Sequence, residues 1–256
     1  MDKNKFYQNI QKAFENLPEN FSILEEQIDV KIQVKYFEYA KEIRDKQEKQ
    51  ECFEQRELLF EKDTDEEQKK KILSSIASFN NVKAYRTIEK FVAKNEGELK
   101  QWGILALQES RMLLQSSLLD EQQFFISTGL GGKGKKLRYF IVFLNADKTK
   151  GLTPTQQNLL KDELIFELKK HDGEFESIEF TQKYSSALII LPITVALQNV
   201  FRNVIDECNQ YGNFLLEDFI VTNVKILSGI EIEQMLTQKQ DQHPSDAQDS
   251  QDFRDE

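Results

Sequence analysis

The sequence predicts an α+β protein in which an all-helical half precedes a half that alternates strands and helices. Residues 2–119 contain very few glycines, a single proline at Pro18, and apolar residues at helical spacing. After residue 136 the pattern changes, and residues 137–145 are apolar at nearly every position, which is typical of a central strand covered on both faces. A chain of 256 residues that is 39% hydrophobic has enough apolar material for a core.

Apolar stripes predict the helices of the first half. Residues 65–79 carry one stripe, and residues 82–94 carry another after the turn at Asn80-Asn81. Residues 99–119 are apolar on more than one side, which predicts a helix buried between layers.

The letters ILSSIA at residues 72–77, followed by KAYR at 83–86, resemble the helical repeats of the HEAT class. The resemblance covers residues 65–119, with a degenerate earlier pair at 30–60. Because such arrays usually need at least three units to bury a continuous face, it implies that the second half supplies the missing burial.

In the second half, strands and helices follow one another in a fixed order. The sequence TPTQ at residues 153–156 is a capping box that starts a helix, and Gly173 ends it. The helix that begins at Thr194 is closed by Gly212. The strands are predicted at residues 137–145, 174–184, 187–193 and 216–227.

This order, strand, helix, strand, strand, helix, strand, resembles the ferredoxin-like fold. The resemblance implies that the first and third strands are central, and these are the two that are apolar on both faces. Since two helices cover only one face of such a sheet, the other must be covered by the helical half or by a partner subunit, and we favour the helical half. A final helix is predicted from the capping box at Ser228 and Glu231.

The predicted organisation has four parts. They are a helical domain at residues 1–126, a Gly/Lys loop at 127–136, an α+β domain at 137–239, and a disordered acidic tail at 240–256.

The charge and composition exclude several classes of protein. The chain has 44 acidic and 34 basic residues, so its overall field repels nucleic acid and anionic membranes, and any phosphate binding must be local. Cys52 and Cys208 lie too far apart in sequence to suggest a disulfide scaffold, and His171 and His243 lack metal-ligand spacing, so neither a metal nor a cofactor is predicted. Without a signal peptide or a long apolar run, we expect a cytoplasmic protein.

One loop stands out because four of the ten glycines fall within six residues and four cations surround them. Glycine-rich backbone can curl around an oxyanion while lysines neutralise it. The loop lacks the sequence context of a dinucleotide site or of a kinase loop. It also departs from the P-loop motif, whose last position would be Ser or Thr, whereas this chain has Lys136. The predicted phosphate-binding residues are Ser127, Thr128, Gly129, Gly131, Gly132, Lys133, Gly134, Lys135, Lys136 and Arg138.

These features lead to three hypotheses. The first is a non-enzymatic intracellular adaptor, with a protein partner on the helical half and a loop that binds phosphate of RNA in a ribonucleoprotein. The second is an enzyme or sensor for a small phosphorylated ligand, and the third is a purely protein-binding scaffold whose loop is only a linker. No catalytic residue is predicted, although Glu109 and Arg111 lie in an apolar helix and their distance from the loop is open.

Overall fold

The computed structural model describes residues 20–44 and 49–241. Within these ranges the chain divides into two compact units, one ending at Lys225 and the other beginning at Ile226. The first unit holds a helical layer and an antiparallel sheet with two helices, which confirms the α+β class. The four-part division predicted from the sequence stays a prediction.

Among the described residues, the helical layer contains five α-helices and a 3-10 turn. Side-chain caps start two of the helices, because Asp65 accepts a hydrogen bond from the Gln68 N–H and Asn81 accepts one from the Lys83 N–H, each at 2.7 Å. The helices are α1 (Val30–Arg44), α2 (Lys49–Glu54), α3 (Glu66–Ala77), α4 (Val82–Lys94) and α5 (Gly97–Leu119), with the 3-10 turn at Gln55–Phe60.

The core of this layer is aromatic and aliphatic. Tyr36, Phe91 and Trp102 are buried in it beside aliphatic residues of α3, α4 and α5. The Trp102 indole lies edge-on to Tyr36 and donates its N–H to Ser74 Oγ at 2.9 Å, so its one polar atom is satisfied.

The sheet follows the element order that hydrophobic periodicity predicted. Strand β4 is central, with β6 on one side and both β3 and β7 on the other; β5 lies beyond β6, and every neighbour is antiparallel. The elements are β3 (Gly132–Lys133), β4 (Lys136–Asn145), α6 (Pro154–Lys170), β5 (Glu174–Phe180), β6 (Tyr184–Pro192), α7 (Leu197–Asn209) and β7 (Leu215–Thr222).

The two faces of the sheet differ in what packs on them. Alternate residues of β4, such as Ile141 and Phe143, join the helices α6 and α7 in one core. Residues of the opposite face, including Phe140, Val142 and Ile190, are also buried. The core of the helical layer contains none of these three residues, so the prediction that the helical half covers this face is not confirmed.

A short parallel pair of strands connects the helical layer with the sheet. Strand β1 (Phe21–Ile23) pairs with β2 (Phe124–Ile126), which follows α5. Ile23 belongs to the core beneath the sheet, whereas the next residue, Leu24, belongs to the helical core. The two layers of the first unit are therefore joined through adjacent residues of one segment.

The second unit begins at Ile226 and contains helix α8 (Gly229–Asp241). The Ser228 backbone and hydroxyl both donate to Glu231 Oε2 at 2.9 Å, as the predicted capping box requires. Of the predicted tail, residues 242–256 lie outside the described residues. Within the described ranges, we find no helix long and apolar enough to cross a membrane.

A buried carboxylate on α6 makes fold stability depend on pH. Burial of Glu167 would raise its pKa, but hydrogen bonds from Lys170 at 2.7 Å, Asn203 at 3.0 Å and His171 outweigh burial and lower that pKa below 4.5. A carboxyl whose pKa is lower in the folded state than in the unfolded state stabilises the fold at pH values above its unfolded-state pKa. This stabilisation is lost as the pH falls through its folded-state pKa.

We therefore expect Glu167→Gln to be destabilising near neutral pH and to flatten the fall in stability below pH 4.5. Urea unfolding at a series of pH values measures both effects. Asp162→Asn removes an exposed carboxylate of the same helix and serves as the control. Parallel acid profiles for Glu167→Gln and the parent would disprove the assignment.

Candidate functional site

The predicted Gly/Lys loop lies where several backbone segments meet. Leu130 donates its N–H to the Asn223 carbonyl at 3.0 Å, and Gly129 accepts from the Ile28 N–H at 3.2 Å. A Cβ on Gly129 would collide with the Val224 carbonyl, and one on Gly131 would lie 2.6 Å from the Glu26 carbonyl. These two glycines are thus required by close backbone approach, and Gly131 also has a φ of +68°.

The hydroxyls at the start of the loop bond to protein atoms. Ser127 Oγ donates to Gln33 Oε1 at 2.7 Å, and Thr128 Oγ1 donates to the Gly131 carbonyl at 3.3 Å. The Gln33 amide donates in turn to the Thr128 carbonyl and the Ile28 carbonyl. The loop is tied to α1 by this network.

The loop cations are paired within the chain. The Lys133 ammonium lies 2.8 Å from Glu174, and that of Lys136 lies 3.0 Å from Asp172. Lys135 lies over the Phe21 ring, with its Nζ 5.3 Å from the centroid. Gly132 and Lys133 pair with the start of β4, so the loop is a hairpin.

Arg138 makes the most extensive of these contacts. Its Nε and Nη2 lie 2.7 and 2.9 Å from the two oxygens of Glu176, and its Nη1 donates to the Leu130 carbonyl at 2.7 Å. The hydrogen bond to Glu176 raises the pKa of Arg138, and the bond between Lys133 and Glu174 raises the pKa of Lys133 and lowers that of Glu174.

The structure thus brings the ten predicted residues together, with their hydroxyls and cations already bonded to other groups of the chain. Phosphate binding by this loop stays a prediction. Glu109 and Arg111 are not part of the loop: buried Glu109 accepts from the Tyr36 hydroxyl at 2.7 Å, and Arg111 lies 3.4 Å from Gln108 Oε1. Among the described residues, no group of three or more His, Cys, Asp or Glu side chains is placed to hold a metal.

A second feature lies at the other end of the central strand. Strand β4 runs from the loop at Lys136 to Asn145, so at about 3.3 Å per residue the two ends are roughly 30 Å apart. Here a cavity of about 780 Å³ opens beside the segment that joins β4 to α6. We call it the β4–α6 cavity; it is lined by residues 145–148, 150–153, 156 and 213–214.

The buried polar residue in the cavity wall is Asn145, which is only 1% exposed. Its Nδ2 donates to the Gln182 carbonyl at 3.0 Å and lies 3.4 Å from that of Thr181, which fixes the orientation of the amide. Its Oδ1 has no hydrogen-bond partner. An unpaired buried acceptor costs about 1–3 kcal/mol, and because this atom is sealed from solvent the cost falls on the fold.

The rim of the cavity is basic and exposed. Lys148 and Lys150 are exposed, and within the described part of the chain neither forms an ion pair. Hydrogen bonds that the Thr149 hydroxyl and N–H donate to Asp147 at 2.6 and 2.8 Å lower the pKa of this carboxyl. Asp147 thus stabilises the turn at the rim, and the nearby charge of Lys150 also lowers the pKa of Asp147.

Two other elements complete this end of the sheet. The Gln182 amide in the β5–β6 turn donates to the Thr149 carbonyl at 2.6 Å, which fixes the rim against the turn that carries exposed Lys183. Helix α6 starts at the rim with the predicted capping box, in which Thr153 and Gln156 cap each other. The turn before β7 presents Tyr211, 75% exposed, two residues before the cavity residue Asn213.

Sequence reasoning missed this site because its polar residues are scattered over three connections. The sequence feature that could have indicated it is the pair Lys148 and Lys150. They are separated by one residue and lie between a predicted central strand and a predicted helix start. Loops at the ends of strands often carry binding residues.

Two solved structures are similar to part of the chain. A "putative transposase from deinococcus radiodurans r1" is 16% identical over 42% of this chain and 92% of its own, with a TM-score of 0.33. A REP-associated tyrosine transposase bound to a REP hairpin is 12% identical over 38% of this chain and 61% of its own, with a TM-score of 0.31. No protein-family model and no curated protein matches the chain.

These comparisons correct the functional hypotheses drawn from the sequence. The two structures named are transposases, and the prediction of a non-enzymatic adaptor with an RNA-binding loop is corrected and not kept. The adaptor and scaffold classifications are not kept, and the alternative of an enzyme or sensor for a small phosphorylated ligand is not carried further. The resemblance of residues 65–119 to HEAT repeats stays a prediction. The physical reason lies in the loop, whose cations are paired with carboxylates or an aromatic ring.

Proposed function

We propose that this protein binds nucleic acid at the rim of the β4–α6 cavity. The observation that carries the proposal is the pair of exposed, unpaired lysines, Lys148 and Lys150, beside a cavity in a chain with ten net negative charges. Lysines that neutralise backbone phosphates release the counterions of the nucleic acid, and this drives binding.

The rim favours phosphate for a second reason. Helix α6 has 17 residues and begins at the rim, so its N-terminus adds a partial positive charge near the two lysines. The chain is acidic overall, which disfavours broad contact with a polyanion and limits the number of phosphates bound.

The proposal predicts a measurable salt dependence. For a single strand, each neutralised phosphate contributes about −0.7 to the slope of log K against log salt, so two lysines give about −1.4. Fluorescence anisotropy of a short, labelled, mixed-sequence DNA oligonucleotide, titrated with the full chain at several salt concentrations, measures this slope.

We expect the double substitution Lys148→Glu with Lys150→Glu to weaken binding by about tenfold or more at low salt and to remove most of the slope. The matched control is Lys83→Glu with Lys100→Glu, two exposed lysines of the helical layer whose replacement changes the net charge equally. Equal losses in both variants would show that only the overall charge matters, and the proposed site would be wrong.

A further inference from the structure

The end of helix α5 carries exposed apolar side chains. Leu118 is 83% exposed and Leu119 is 60% exposed in the last turn of the helix, and Phe124 in the following strand is 36% exposed. The Gln123 N–H donates to Ser116 Oγ at 2.9 Å, which folds the connection back onto that last turn. We call Leu118, Leu119 and Phe124 the α5-end patch. Apolar side chains this exposed are stabilised when another apolar surface covers them.

The described chain begins beside this patch. The Asn20 side-chain amide donates to the Gln122 carbonyl at 2.6 Å, and the Phe124 N–H donates to the Asn20 carbonyl at 3.2 Å. Three residues of chain span at most about 11 Å, so the Cα atom of Leu119 lies within that distance of Gln122, and that of Leu17 lies within it of Asn20. The segment before β1 therefore starts next to the α5-end patch.

The segment before β1 lies outside the described residues, but its sequence contains an apolar stripe. Four large apolar residues recur at i, i+4, i+8 and i+11, so a helix would place them within about 80° of one another around its axis. They are Phe6, Ile10, Phe14 and Leu17. Pro18 disfavours helix beyond this point. Because a helix of about twelve residues is only marginally stable alone in water, it needs a surface on which to pack this stripe.

The charges beside the stripe and beside the patch are opposite. Lys5 and Lys12 are seven residues apart, so a helix puts both on one flank of the stripe. Asp120 and Glu121 are exposed directly after α5, and the C-terminus of this 23-residue helix adds a partial negative charge. A second copy docked here about a two-fold axis would instead bring two sets of these carboxylates together. Charge therefore favours the chain's own segment as the occupant of the patch.

We propose that residues 6–17 form an amphipathic helix that packs its apolar stripe on the α5-end patch of the same chain. Pro18 and Glu19 then form the connection to β1, and Lys5 and Lys12 lie towards the acidic end of α5. The contact adds one helix to the helical layer. It does not depend on the nucleic-acid site at the rim of the β4–α6 cavity.

Hydrogen exchange of the full chain, followed by mass spectrometry, tests the docking. We expect the amides of residues 6–17 to exchange at least about tenfold more slowly than in a synthetic peptide of these residues. Leu118→Ser with Leu119→Ser is expected to remove this protection. The matched control, Val30→Ser with Val34→Ser, replaces two other exposed apolar side chains of the helical layer and is expected to keep it. Peptide-like exchange in the parent, or protection that survives the leucine substitutions, overturns the proposal.

Cysteine pairs locate the contact. Leu118→Cys is combined in turn with Ile10→Cys, with Phe14→Cys and, as the control, with Glu15→Cys, which a helix places on its polar face. We expect one of the two stripe positions to form a disulfide within the chain at least about tenfold faster than the control position. The two native cysteines are buried and do not compete. Equal rates at all three positions overturn the proposal, and disulfides only between two chains overturn it in favour of a second copy as the occupant.

Discussion

Replacing Gly129 with alanine is expected to cost about 3 kcal/mol or more of unfolding free energy. The added Cβ would collide with the Val224 carbonyl, an atom of the backbone that cannot rotate away. Relief would require the segment after β7 to move, which would break the 3.0 Å hydrogen bond from the Leu130 N–H to the Asn223 carbonyl. The loss therefore combines overpacking with an unpaired buried backbone group.

The matched control for Gly129→Ala is Gly151→Ala. A Cβ on Gly151 would lie 3.6 Å from the nearest atoms of Thr181 and Gln182, which is ordinary contact. We expect a change within about 1 kcal/mol there. Urea unfolding of both variants measures the difference, and similar midpoints would mean that the loop is not tightly packed against the segment after β7.

The same glycine shows what sequence reasoning could not supply. Four glycines within six residues indicate an unusual backbone, but they fit a phosphate cradle, a linker or a packed junction equally well. The atoms that decide are the carbonyls of Val224 and Glu26, each about 100 positions away in sequence. Only the fold brings them to the loop.

The sheet was largely predictable because burial leaves a periodic signal in sequence. Strands β4 and β6 are apolar on both faces, and they are the two interior strands of the β5-β6-β4-β7 path. Strand β7 ends at Thr222, five residues before the predicted end, since the chain turns into the segment that contacts Gly129. Strands β1 and β2 were missed because three residues are too few to show a period.

The candidate site was less predictable than the fold. Asn145 is unremarkable in sequence, and only the fold shows that its amide joins the end of β4 to the Thr181 and Gln182 carbonyls beside the cavity. Conversely, the loop lysines were conspicuous in sequence, yet their carboxylate partners, Asp172 and Glu174, follow the next helix and could not be assigned from spacing. Charge in a sequence shows that a partner is needed without showing whether it lies in the same chain.

Experiments on Arg138 can show whether its charge serves a contact within the chain or is available to an external anion. We expect Arg138→Ala to cost about 2–3 kcal/mol of unfolding free energy, because its side chain is 16% exposed and bonds both oxygens of Glu176 as well as the Leu130 carbonyl. Arg138→Lys is expected to lose most of the same unfolding free energy, because an ammonium group cannot reproduce the planar, bidentate hydrogen bonding of the guanidinium. Lys133→Ala is the control: that side chain is 60% exposed, and solvent screens its pair with Glu174, so we expect a much smaller loss.

A double-mutant cycle with Glu176→Gln assigns the Arg138 loss to its contact. Because the two side chains share two hydrogen bonds, the cycle is expected to give a coupling energy of about 1 kcal/mol or more. Such a coupling means that Arg138 fastens the loop to β5, and a phosphate would have to compete with Glu176 for the same guanidinium. If Arg138→Ala unfolds like the parent and the coupling is absent, the guanidinium is available to an external anion, and the phosphate site predicted from the sequence gains its first support.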